Sequence, residues 1–132
     1  MSSVENMSNM FNGLTAFNQP IGTWNVGKVQ NMSYMFNGAT SFDQALNTWD
    51  TNDAKNMQGM FNGANNFNKA LSNWDVGNVT NMTQMFNGAT SFNQNLKNWC
   101  VIQIPTVPAS FATSTLIDAH RPNWGVCETF AN

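Results

Sequence analysis

The chain is 132 residues long, one domain's worth, with 9% charged side chains and a net charge of −2. So little charge, with no Lys/Arg cluster, excludes steering to nucleic acid. Ten Phe, five Trp and nine Met can supply a core, but nothing approaches the roughly eighteen consecutive apolar residues of a membrane span.

Taken in order, the opening MSSVENMSNM lacks the basic and apolar regions of an export signal. From Asn6 onward the sequence repeats itself with a 25-residue period over 6–30, 31–55, 56–80 and 81–105. Every unit carries Asn-Met-x-x-Met-Phe-Asn-Gly, then a second Phe (17, 42, 67, 92), an aliphatic residue (Ile21, Leu46, Leu71, Leu96) and a Trp (24, 49, 74, 99). Such self-similarity is the mark of stacked repeats, because one unit cannot bury its apolar residues alone. Asn31 resembles a helix N-cap and Gly38 a helix stop, so the pattern predicts a helix of one or two turns over 32–37, with Met32, Met35 and Phe36 on one face. Trp49 and Thr51, two apart, predict a short strand near 46–51 and at its equivalents. The fold expected is an α/β repeat solenoid of about five coils, each a short strand plus a short helix. At about 4.8 Å per coil the stack is roughly 25 Å long.

Residues 1–105 read as four repeats preceded by a partial coil. Residues 106–132 read as a degenerate fifth repeat and C-terminal cap, since Phe111 and Trp124 keep the period. The second unit departs from its neighbours at Thr51, Asp53 and Ala54, which predicts looser packing there. Cys100 and Cys127 fall on the outer side of neighbouring coils, offset by two residues from perfect stacking. That offset strains the usual limit of about 7 Å between Cα atoms. A disulfide is still the favoured reading, stapling the end of the stack and placing the chain in an oxidising compartment. Free thiols are the alternative, and two Cys with His120 do not make a zinc set.

No nucleophile–base pair, Asp-x-Asp calcium loop or phosphate-binding glycine loop appears, so the chain reads as non-enzymatic, without metal or cofactor. Asp43, Asp50, Asp53 and Asp75 read as solvated surface. The Asn columns read as local backbone caps, and the Met columns as core. Residues flanking the Trp column point outward: Thr23, Asn25, Thr48, Asp50, Asn73, Asp75 and Asn98. They predict a polar, mildly acidic, nearly flat face, the kind of surface that repeat proteins offer to partners.

The runs MFNGATSFNQ and LKNW, with LSNWDVGNVTNM between units, resemble the BspA-like surface-protein repeat, a leucine-rich-repeat-like module also abundant in mycoplasma surface lipoproteins. The likeness covers about residues 4–104, and the tail from Asn98 to Cys127 resembles the cap of such arrays. It implies a leucine-rich-repeat-like solenoid and a secreted or cell-surface adhesion module that binds a protein or a glycan, with no catalytic residues to carry over. The lack of an export signal or lipobox cysteine departs from that pattern. The alternative function is a structural spacer or fibre unit that self-associates end to end through its N-terminal coil, without membrane insertion or nucleic-acid binding.

Overall fold

In the computed structural model, residues 3–127 are described. The chain forms coils tied to each other through the Asn-Met-x-x-Met-Phe-Asn-Gly segments. Met32, Tyr34, Phe36 and Gly38 donate their amides to the carbonyls of Asn56, Gln58, Met60 and Asn62 at 2.8–2.9 Å, and the same set recurs one coil earlier and one coil later. In return, Lys55 and Asn56 donate to Gln30 O. Parallel bridges Asn6–Asn31, Asn31–Asn56 and Asn56–Asn81 mark this seam.

The helix expected over 32–37 is absent, and so is the strand near 46–51. The one helix among the described residues is a 3-10 turn at Asp118–His120. The reason is backbone conformation. Asn9, Tyr34 and Gln84 have φ of 62°, 55° and 60°, and Gly59, in the same column, has 59°. A left-handed residue at that point stops a right-handed helix. Amides alternate instead. Those at 32, 34, 36 and 38 reach the next coil, while those of Met35, Asn37 and Ala39 fold back to Met32, Tyr34 and Phe36. Asn31 Oδ1 takes the remaining amide, from Ser33, at 2.9 Å. Every backbone donor from 32 to 39 is thus satisfied, as burial demands. The Asn column caps an Asx turn, not a helix, with the same bond at Asn6, Asn56 and Asn81.

Around Trp49 the chain turns as well: its amide goes back to Leu46 O. Coils are joined here by side chains. The indole Nε1 of Trp49, Trp74 and Trp99 donates to the carbonyls of Ile21, Leu46 and Leu71 in the preceding coil, at 2.8–3.0 Å. Thr51 is buried and donates through Oγ1 to Asp75 O at 2.9 Å, and Ala54 is fully buried. The second unit is therefore not loosened as expected: the hydroxyl that replaces a Val methyl has a partner.

The core is a set of aromatic and aliphatic columns. Phe11, Phe36, Phe61 and Phe86 stack nearly parallel at 5.4 Å, and Phe17, Phe42, Phe67 and Phe92 at 5.7–5.8 Å. Trp49, Trp74 and Trp99 stack at 6.3–6.5 Å within 3° of coplanar. Fully burying each such side chain contributes about 1.5–3 kcal/mol before ordering entropy is set against it.

The fifth coil is out of step. Gln84 and Phe86 donate to Ala109 and Phe111, one residue later than the repeat dictates, and the left-handed residue is Ser110. Phe111 meets Phe86 edge-on at 81°, and Trp124 packs edge-on against Phe111 instead of stacking on Trp99. Pro105 is one cause. In earlier coils Gln30, Lys55 and Thr80 each donate an amide to the coil before, and proline has none to give. A cleft of about 540 Å³ opens there, between 80–83 and 103–109.

Candidate functional site

The residues of the expected binding face are set by the turns around the Trp column. Thr23, Asn25, Thr48, Asp50, Asn73, Asp75 and Asn98 are all exposed. They do not form a sheet. Asn25, Asp50 and Asp75 each accept, through Oδ1, the amide two residues on, at 3.0 Å. Half of each carboxylate is thereby committed to its own turn. The fourth member of that column is Cys100, which is joined to Cys127 in a disulfide with Cα atoms 4.0 Å apart. That separation is well inside the limit the two-residue offset was expected to strain, because the last coil has shifted register.

The other flank holds two shallow grooves built from the same columns. One, of about 430 Å³, lies between the first two coils and is lined by Pro20, Gly22, Thr23, Gln44, Ala45 and Thr48. Its counterpart, of about 460 Å³, lies two coils further on, at Ser72, Asn95, Lys97 and Asn98. Between them the position of Gly22 and Ser72 is taken by Asn47, whose Oδ1 reaches the Asn73 amide at 2.9 Å and fills the space. The grooves thus exist where the lower coil carries a small side chain. Sequence reasoning identified the exposed flanks but missed the grooves. The signal was the alternation Gly22, Asn47, Ser72, Lys97 in one column.

A further seam runs beside the second Phe column. Asn18, Asp43 and Asn68 each accept the amide of the equivalent residue in the next coil, at 2.9–3.0 Å. Gln44 and Gln94 add a bond to the Oδ1 of Asn18 and Asn68. Where the acceptor is Asp43, the matching residue is Lys69, with Nζ 3.6 Å from Oδ2. Asp43 is therefore part of a rung between coils and not merely solvated surface. His120 joins the end of this seam, its Nδ1 2.9 Å from Asn93 Oδ1.

Among the described residues, no group of three His, Cys, Asp or Glu is placed to hold a metal ion, and no helix is long and apolar enough to cross a membrane. The site's chemistry is that of neutral amides and hydroxyls with a few carboxylates, suited to hydrogen bonding at a surface. Searches of curated proteins and of solved structures returned no match. A family model matches the chain twice, over residues 1–99 and 44–130. The chain belongs to the family described as Mycoplasma protein of unknown function, DUF285.

Proposed function

We propose that the chain is a non-catalytic binding module of a secreted or cell-surface protein, a BspA-like repeat solenoid of the leucine-rich-repeat-like class. It would present the outer flanks of its Trp column to a protein or a glycan. One observation carries this reading: two grooves of similar size recur in the same columns, bordered by exposed Thr23, Thr48 and Asn98. A partner that follows the stack would meet like contacts at both. The disulfide supports an oxidising location outside the cytosol. The family description names no activity, and adhesion rests on the resemblance to surface repeats together with this geometry.

The test is a glycan and surface-protein array probed with wild type, Ser72→Asn and Asn73→Ser/Asp75→Asn. Ser72→Asn copies Asn47 and closes the second groove, and Asp75→Asn keeps the turn-capping oxygen. These changes should weaken binding while moving stability by no more than about 0.5 kcal/mol. Unaltered binding in all variants would remove this face from the proposal.

The spacer reading keeps one specific observation of its own. In the first coil Met10 and Leu14 are 38% and 48% exposed, whereas Met35 and Ala39, their counterparts one coil on, are fully buried. End-to-end association would cover them, and sedimentation of the intact chain at increasing concentration tests it through the mass observed.

A further inference from the structure

We infer that Asn87 is a site of spontaneous modification, deamidating through the Gly88 amide ahead of the other three Asn-Gly pairs. The chain contains Asn-Gly at 12–13, 37–38, 62–63 and 87–88. The reaction needs the glycine nitrogen as nucleophile, and glycine, without a Cβ, leaves its approach open. Hydroxide takes the Gly88 amide proton. The nitrogen then bonds to Asn87 Cγ, and the side-chain nitrogen departs as ammonia. Water opens the resulting five-membered imide at one carbonyl to give aspartate, or at the other to give isoaspartate.

In three of the pairs that nitrogen is held. Gly13, Gly38 and Gly63 each donate to the Asn carbonyl of the next coil at 2.8 Å. Gly88 has no hydrogen-bond partner among the described residues. The register slip moves its expected acceptor to Thr113 O, and that carbonyl is already used. Leu116 N donates to it at 3.2 Å and Arg121 Nη2 at 3.0 Å, which occupies both lone pairs. Arg121 is itself fixed by Nε to Leu116 O at 2.8 Å. The capping coil thus frees one glycine amide and locks none in its place.

Geometry is otherwise shared. All four glycines have φ between 71° and 77°, and Asn37 and Asn87 sit in the same run, MFNGATSF. Asn37 is therefore an internal control with identical flanks and a locked amide. The product would place a carboxylate next to Asn62 Oδ1, which now accepts from Asn87 Nδ2 at 3.3 Å. The rung would lose its Asn87 donor, and Asn62 would have to turn its own amide nitrogen toward the new carboxylate.

The experiment incubates the intact, disulfide-bonded chain in mildly alkaline buffer and follows each pair by peptide mapping with isoaspartate quantification. Asn87 should convert roughly tenfold faster than Asn37 and Asn62, whose amides must first leave a hydrogen bond. Asn12, in the terminal coil, should fall between. A parallel sample in concentrated denaturant should bring the Asn37 and Asn87 rates together. Equal rates in the native chain, or a persistent Asn87 preference in denaturant, would overturn the inference.

Discussion

Truncating Trp74 to Ala tests the stacked core most directly. The side chain is 3% exposed and lies between Trp49 at 6.3 Å and Trp99 at 6.5 Å, with Phe61 at 6.2 Å. Removing a buried indole costs about 3–5 kcal/mol. The lost Nε1 bond adds little beyond this, because Leu46 O keeps the amide of Trp49 as a donor. Trp24, at the end of the stack, is half-buried, touches the ring of Phe11 and has no indole bond to another coil among the described residues. Its truncation should cost about half as much, near 2 kcal/mol. Urea unfolding followed by circular dichroism, with slopes compared, gives both values free of the fluorescence change that the mutations cause. Against a typical total of about 5–15 kcal/mol, Trp74→Ala should leave a marginal fold. If Trp24→Ala proved as costly as Trp74→Ala, burial between neighbouring coils would not be what holds the indoles.

Three further outcomes are expected. Reducing the Cys100–Cys127 bond, whose ends are 27 residues apart, should lower stability by about 3.5 kcal/mol on the chain-entropy relation, read by urea unfolding with and without reductant. Converting Asp43 and Lys69 together to Asn and Gln recreates the rung of the neighbouring coils and should be neutral within about 0.5 kcal/mol, whereas the single changes should not sum to the double in a mutant cycle. Gly59→Ala sets a Cβ against Cε1 and Cδ1 of the Tyr34 ring, at a φ of 59°. It should cost more than about 1–2 kcal/mol, and part of that loss should be recovered in a Tyr34→Ala background, as measured by thermal unfolding.

What the sequence disclosed was periodicity, and periodicity named the buried columns. Met32, Met35, Phe36, Phe42, Leu46 and Trp49 are all buried, as are their equivalents in the next two units. It did not disclose the local backbone, because the same signals serve two structures: Asn before and Gly after an apolar run suit a capped helix or an Asx turn followed by a left-handed glycine. The residue that decides, at 9, 34, 59 and 84, is Asn, Tyr, Gly or Gln, so its shared positive φ left no common chemical sign. The fifth coil misled for a related reason. Phe111 and Trp124 keep their numerical spacing, but Pro105 removes a donor and the register has already slipped by Ala109. The outward flanks of Trp were legible from alternation, whereas the grooves depend on side-chain size across coils, which no single unit contains.

The pairing of Asp43 with Lys69 has a consequence for how such arrays can change. Each rung borrows one member from one unit and one from the next, so a unit is fitted to its neighbour and not only to a common template. Duplicating 31–55 in tandem would set Asp43 against a second Gln44, and deleting 56–80 would do the same with Gln94. Growth by whole-unit copying therefore keeps a hydrogen bond at the junction, since Gln can donate to the Asp43 carboxylate as it does to Asn18 and Asn68, but it loses the ion pair. The order of the units is itself inherited information, written across the boundaries between them.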